Sequence, residues 1–275
     1  MKNLIIRALT GIIFVVVLIS AIYIHPIFFL ILFCIITGLT LWEFGGLVKH
    51  YENANLQRTV NVLGGVYLFI ATFVYANGLT DGKIFLPYLL FIMLTAELYY
   101  KAPNPINNWA FTLFAQVYCA GSFSILNFIG AEPGTPGVMS YTPLFIMAIF
   151  IFVWLDDTGA YLVGSLIGKH KLFERISPKK SWEGFFGGLI LSLASSQAFA
   201  WFAPEINRMN WLGLAATVVL FGTWGDLIES LLKRTLGVKD SGNVLPGHGG
   251  MLDRFDSVML AVPASYIYIE LFIRN

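Results

Sequence analysis

Charge is what this sequence has least of. Asp, Glu, Lys and Arg together make up 12% of its 275 residues, against roughly 25% in an ordinary soluble domain. With 57% hydrophobic residues, 16% aromatic ones and a mean hydropathy of +0.74 over the whole length, a water-soluble globule is excluded. There is no long polar half either, which excludes a soluble enzyme hung on one anchor. Cysteine is nearly missing. Cys34 and Cys119 fall inside apolar runs with no partner motif, so a disulfide or zinc site has no support and both read as packing residues. Internal repeats, low-complexity tracts and the inverted duplication of many transporters are lacking too. Nothing in the net charge of +1 points to nucleic acid, and no such partner is expected.

What the chain does have is a succession of apolar stretches rich in Leu, Ile, Phe, Ala and Gly. They show no period-2 alternation, which favours helices over a barrel. The expected fold class is an all-α polytopic membrane protein of about nine transmembrane helices. The expected spans are 4–24, 27–48, 60–79, 84–100, 110–130, 143–167, 184–203, 211–232 and 255–273. At about 20 residues each they leave short connections and no room for an extramembrane domain. The first stretch has a basic start but no convincing small-residue cleavage site, and is expected to be a retained helix. About five spans form an N-terminal region, 1–142, and about four a C-terminal catalytic region, 143–275, with loops 168–183 and 233–254.

Lys and Arg set the expected orientation, because cytoplasmic loops retain positive charge. With nine spans, 14 of the 17 Lys and Arg lie on one side, leaving Lys83, Arg208 and Arg274 opposite. The N-terminus is therefore expected in the cytoplasm and the C-terminus outside. Twelve of the sixteen Asp and Glu fall on or beside the same cytoplasmic side. The small net charge hides a segregated arrangement.

The densest polar region is the end of the eighth span and the loop after it. On a helix, Asp226, Glu229 and Lys233 share one face, as do Asp253 and Asp256. Burying such groups costs about 2.5 to 3.5 kcal/mol each at the bilayer centre on insertion scales. Two carboxylates about 4 Å apart repel by about 4 kcal/mol at an effective dielectric of 20, so a converging cluster needs a cation, a shared proton or basic partners. Oxygen ligands favour Mg²⁺, Mn²⁺ or Ca²⁺ over zinc. Between the carboxylates, Pro246 and Gly247 set a turn, and Gly249 and Gly250 let backbone N–H groups approach an anion. Lys233, Arg234, Lys239, His248 and Arg254 stand nearby. Carboxylates for a metal beside a basic, glycine-rich loop suit phosphoryl chemistry, since metal and cations together neutralise the charge that shifts during transfer.

Two further segments carry polar groups on the same side. Ser177-Pro178-Lys179-Lys180-Ser181-Trp182-Glu183-Gly184 places hydroxyls, ammonium groups and a helix start together, as polyphosphate binding requires. Asp156-Asp157-Thr158-Gly159-Ala160 closes the sixth span. Adjacent residues point about 100° apart on a helix, so one of the two aspartates, Asp156 in preference, is expected to reach a given site. Gly159, Ala160, Gly184 and Gly188 are small enough to let helices approach closely. Glu43 and Glu97 read as helix-end or interface residues.

The run Ser230-x-Leu232-Lys233-Arg234-x4-Lys239-Asp240-x-Gly242-x2-Leu245-Pro246-x-His248-Gly249-Gly250-x2-Asp253-Arg254-x-Asp256 resembles the signature of the bacterial phosphatidate cytidylyltransferases, also called CDP-diacylglycerol synthases, with no departure over 27 residues. The Asp-Asp-Thr-Gly-Ala and Ser-Pro-Lys-Lys-Ser-Trp-Glu-Gly segments resemble the family's other motifs, in the same order. The resemblance spans about 153–263; the N-terminal half matches only in being several hydrophobic helices. It implies the reaction of CTP with phosphatidic acid to CDP-diacylglycerol and pyrophosphate in a bacterial inner membrane, at a polar cavity facing the cytoplasm. It further implies Mg²⁺ or Mn²⁺, with a second, monovalent cation such as K⁺. Asp226 and Asp253 would be the main metal ligands, with Asp156, Glu229 and Asp256 as further ligands or orienters. Lys179, Lys180, Lys233, Arg234 and Arg254 would contact phosphate, joined by Ser177, Lys239, His248, Gly249 and Gly250 in substrate binding. The glycine-rich faces and the family analogy suggest a homodimer.

The alternative enzyme is a CTP-dependent kinase of a polyprenol or related lipid alcohol. A CDP-alcohol phosphotransferase is disfavoured, since no Asp-x2-Asp-Gly-x2-Ala-Arg run exists. A transporter would place polar residues along a path through the membrane, whereas these stop at one side.

Overall fold

The computed structural model describes residues 2–51, 54–93, 96–99, 101, 103–132, 139–242, 244 and 249–275, which are mainly helical. The helices are α1 (Lys2–Ile24), α2 (Pro26–Val48), α3 (Arg58–Ala76), α4 (Leu86–Met93), α5 (Ala96–Tyr99), α6 (Pro105–Ala115), α7 (Ser122–Gly130), α8 (Leu144–Ile167), α9 (Trp182–Phe202), α10 (Arg208–Thr235), α11 (Leu252–Phe255) and α12 (Val258–Phe272). A 3₁₀ turn, Gly82–Phe85, precedes α4, and a π-helical segment, Gln116–Gly121, joins α6 to α7 without a break. Between α8 and α9 lies one antiparallel hairpin of β1 (Lys171–Phe173) and β2 (Ser177–Ser181).

Among the described residues, seven helical stretches are long and apolar enough to cross a membrane, and Leu9–Ile24 is a shorter apolar one. The chain is an all-α polytopic membrane protein, as expected. In the expected span 84–100, residues 94, 95 and 100 lie outside the described ones. There the described residues form the 3₁₀ turn, α4 and α5. Glu97 of α5 is buried and accepts a hydrogen bond from Asn108 Nδ2 at 2.9 Å.

Helix starts follow local chemistry. His25 caps α2 by accepting from Ile27 N, and Pro26 takes the first turn, where its missing N–H costs nothing. Asn104 and Pro105 repeat the device at α6. The π segment coincides with a buried polar knot: Gln116 Nε2 donates to the Asn61 carbonyl at 2.7 Å, while Tyr88 donates to Gln116 Oε1 at 3.2 Å. Such bulges arise where a side chain needs a direction that an unbroken α-helix does not provide.

By its contacts the chain divides into two compact units, Met1–Pro143 with Thr235–Phe255, and Leu144–Arg234 with Asp256–Asn275. The expected division put the whole of 233–254 with the C-terminal helices, whereas 235–255 groups with the N-terminal ones. Aromatic packing and a buried acid explain this within the first unit. Phe255 packs on Phe123 and Phe33, with ring centroids 5.3 and 6.4 Å apart, and Glu43 of α2 accepts from Leu252 N.

The second unit is organised by α8 against α9. A Cβ on Gly159 would lie 2.7 Å from the Gly187 carbonyl oxygen, and one on Gly184 2.8 Å from that of Ala160. The backbones therefore touch, and Ser192 adds a hydrogen bond to the Phe152 carbonyl at 2.9 Å. The small-residue faces on which a homodimer was expected are thus used within the chain. At the far end, Trp211 is fully buried against Phe145 and Phe199. Cys34 and Cys119 are free thiols.

The close approach sets a prediction. Gly159→Val should cost about 1–3 kcal/mol through overpacking against backbone, seen as a lower unfolding temperature in detergent. Gly82→Ala, with no atom within 4 Å of the new Cβ, should be neutral within about 0.5 kcal/mol.

Candidate active site

The second unit brings three of the polar segments together. Ser181 caps α9, its Oγ accepting from Gly184 N at 3.2 Å. Glu183, in the first turn of α9, accepts from the backbone N–H groups of Lys169 and His170 at 3.2 Å and contacts His170 Nδ1 at 2.6 Å. These bonds hold both ends of the hairpin at the start of α9. The hairpin was expected only as a basic loop; its strands carry Lys179 and Lys180 in defined places.

Lys180 Nζ stands 2.5 Å from Asp226 Oδ2, with both side chains about one quarter exposed. Asp226 also accepts from Ser230 Oγ at 3.2 Å, one turn along α10. On the same helix face, Lys233 pairs with Glu229, whose carboxylate is fully buried. The shared face expected from the spacing therefore holds a solvent-reaching acid at Asp226 and an ion pair behind it. Arg234, at the end of α10, is exposed. Asp256 accepts from Ser257 N at 2.6 Å and lies within electrostatic reach of Asp226, Glu229 and Asp157. It can do so because Gly225 brings α10 onto the backbone there, a Cβ at that position falling 2.6 Å from the Asp256 carbonyl oxygen.

A cavity of about 480 Å³ opens beside these groups. Asp156, Asp157, Lys171, Lys179, Lys180 and Ser181 supply its charged and hydroxyl lining, with Thr223 and Ser257, while Tyr161, Leu172 and Phe185 supply apolar surface. Both aspartates of α8 line it, not Asp156 alone. Asp156 is buried and Asp157 exposed, so a groove between α8 and the hairpin accommodates two directions at once. Ser177 is half-buried and lies outside this lining. Thr223, Ser257, Tyr161 and Phe185 were not expected there. Their side chains carry no motif, and only the folded arrangement of α8, α9, α10 and the hairpin brings them to one cavity.

In the first unit, Asp253 holds the glycine-rich loop. Its carboxylate accepts from Ser241 N at 3.0 Å and Gly250 N at 2.9 Å. Gly249 has φ +83°, in the left-handed region that favours glycine. Lys239 and Arg254 are exposed. His248, together with Leu245, Pro246 and Gly247, lies outside the described residues.

Among the described residues, no three His, Cys, Asp or Glu side chains already stand close enough together to hold a metal ion. The donor chemistry of the second unit nonetheless fits a hard cation. Asp156, Asp157, Asp226 and Asp256 offer only oxygen, Asp156 Oδ1 is buried with no hydrogen-bond partner among the described residues, and the Lys180 ammonium stands against Asp226 as a cation would.

The Glu229 pair gives a test. Lys233→Met takes the cation from a fully buried carboxylate and should destabilise by about 3–5 kcal/mol. Adding Glu229→Gln should recover most of the loss, measured by thermal unfolding in micelles.

Comparison with known proteins bears on the same segments. Residues 5–272 match the family model described as cytidylyltransferase family. Proteins named phosphatidate cytidylyltransferase in Staphylococcus aureus and Staphylococcus haemolyticus are each 54% identical over 121 residues, and one in Staphylococcus epidermidis is 53% identical over the same length. Each match covers 43% of this chain and 46% of the relative, so the chain spans about half the length of the curated relatives it matches. With the family model running nearly from end to end, the chain belongs to the cytidylyltransferase family.

Proposed function

We propose that this protein transfers the cytidylyl group of CTP to phosphatidic acid, giving CDP-diacylglycerol and pyrophosphate. The observation that carries the reading is the cavity in the second unit, which Lys179 and Lys180 line together with Asp156 and Asp157 and where Lys180 reaches Asp226. Ammonium groups bind and neutralise phosphate; the carboxylates suit a divalent ion that phosphate shares. The apolar wall formed by Tyr161, Leu172 and Phe185 suits a substrate that keeps its acyl chains in the membrane.

In the proposed step a phosphatidate oxygen forms a bond to the α-phosphorus of CTP in line with the bond that breaks, and pyrophosphate leaves with that electron pair. A phosphate monoester is largely ionised at pH 7, its second pKa being about 6, so neither a covalent enzyme nucleophile nor a general base is required. Lys179 and Lys180 orient the phosphates and neutralise the charge that builds on them, with Lys233, Arg234 and Arg254 as further contacts from the family motif. Lys239, His248, Gly249 and Gly250 belong to the same motif and are assigned to substrate binding. Asp226 and, by the motif, Asp253 are the residues that would hold Mg²⁺ or Mn²⁺, with Asp156, Glu229 and Asp256 supporting. When bound, the ion supplies charge neutralisation of the polyphosphate, and a monovalent ion such as K⁺ would supplement it. CTP is a cytoplasmic solute, which favours a bacterial inner membrane with the cavity facing the cytoplasm.

Mass spectrometry of the purified protein in mixed micelles with phosphatidate, CTP and Mg²⁺ tests the reading. CDP-diacylglycerol carrying the α-phosphate label of CTP should form together with unlabelled pyrophosphate, and both should fall at least about hundredfold in Asp226→Asn. Release of CDP only on adding a lipid alcohol, with the γ-phosphate transferred, would replace this reading by the kinase.

A further inference from the structure

Glu43 is the only charged residue of α2 and is 5% exposed. A carboxylate in so apolar a helix is costly, and among the described residues no cation forms an ion pair with it. Its partners are instead the two ends of the glycine-rich loop. Oε2 accepts from Leu252 N at 2.9 Å and from the Ser241 hydroxyl at 3.3 Å, while Oε1 is buried with no hydrogen-bond partner among the described residues. The loop backbone lies directly on this carboxylate. A Cβ on Gly242 would come 2.6 Å from Oε1, and one on Gly250 2.5 Å from Oε2. Asp253 grips the same segment through Ser241 N and Gly250 N. Ser241 is thus shared, its hydroxyl bound to Glu43 and its N–H to Asp253.

We propose that Glu43 is a positioning residue for the transfer reaction: it fixes the backbone at Ser241 and Gly242 and at Gly250 and Leu252, and through that backbone the carboxylate of Asp253. The first unit contains the whole relay, from α2 through the loop to α11. The role in catalysis rests on the cytidylyltransferase reading, whereas the hold on the loop does not. Packing alone would be served at lower desolvation cost by an apolar side chain. A carboxylate adds acceptors for two donors at once, in a place that water does not reach.

Hydrogen exchange and kinetics together test this. In Glu43→Ala, assayed without metal, the amides of Ser241, Gly250 and Leu252 should exchange at least tenfold faster than in the wild type, while those in the middle of α2 and α3 stay unchanged. With substrates, kcat per folded molecule should drop at least tenfold and the Mg²⁺ concentration for half-maximal rate should rise. The KM for phosphatidate should stay within twofold. Glu43→Gln, which keeps an acceptor for Leu252 N and the Ser241 hydroxyl, should recover most of the protection and rate. A residue that only supported folding would reduce the amount of folded enzyme without moving kcat per folded molecule or the Mg²⁺ dependence, and that result overturns the proposal. So does wild-type exchange across the loop in Glu43→Ala. If that variant does not fold, Ser241→Ala decides: faster exchange at Leu252 and Gly250 supports the relay, and unchanged exchange refutes it. Absence of CDP-diacylglycerol with the wild type would sink the cytidylyltransferase reading and the catalytic role with it, leaving the exchange result to decide the hold on the loop.

Discussion

Every charged side chain carried into an apolar helix has to find its counter-charge or its donors within the protein, because hydrocarbon offers neither. The structure meets this constraint in a different way at each site. Glu229 takes Lys233 one turn along its own helix. Asp226 takes Lys180 from the hairpin, Glu97 takes an amide from Asn108, and Glu43 takes a backbone N–H and a hydroxyl. These partnerships decide where segments lie. The ion pair to Lys180 brings the hairpin to α10, and the bonds to Glu43 bring the loop before α11 to α2. The partnership is incomplete at Asp156, whose Oδ1 is buried without a hydrogen-bond partner among the described residues, in a cavity lined by two further lysines besides Lys180.

The hairpin can deliver its lysines only because α8 and α9 lie so close. Glycine on glycine brings the two backbones into contact, so the connection between the helices is short and its ends are fixed. Ser181 closes the second strand and opens α9 in one residue, and Glu183 reaches back to the amides that follow α8. Lys179 and Lys180 therefore project from a braced ribbon. An ammonium on a free loop would lose side-chain and backbone entropy on meeting phosphate; here much of that ordering is already done.

Much of this was legible in the amino-acid order, and what was not has a common cause. Apolar runs locate the long helices because lipid exposure imposes composition directly on sequence. The spacing of Asp226, Glu229 and Lys233 places them on one face because that relation is local to a single helix. Glu43 gave no such signal, since its partners stand 198 and 209 residues away. The partner of buried Glu97 was hidden likewise, since Asn108 stands on another helix. The hairpin escaped because strands of three and five residues, one containing proline, carry too little apolar alternation to read. Small residues were recognised as helix contacts, but sequence alone does not distinguish a partner within the chain from a second copy.

The glycines beside the acids show how the constraint is met at the level of shape. A Cβ at Gly188 would lie 2.0 Å from Asp156 Oδ1, and those at Gly242, Gly250 and Gly249 would lie 2.6, 2.5 and 3.1 Å from oxygens of Glu43, Glu43 and Asp253. Only at Gly249 does a positive φ also call for glycine. At the others the requirement is space: a side chain there would push the carboxylate away from the backbone it faces. Removing the Cβ lets a peptide N–H approach an anion where no water can, as Gly250 N does at Asp253. An apolar chain with few cations to spare can in this way hold buried carboxylates by backbone, leaving its lysines to face the cavity.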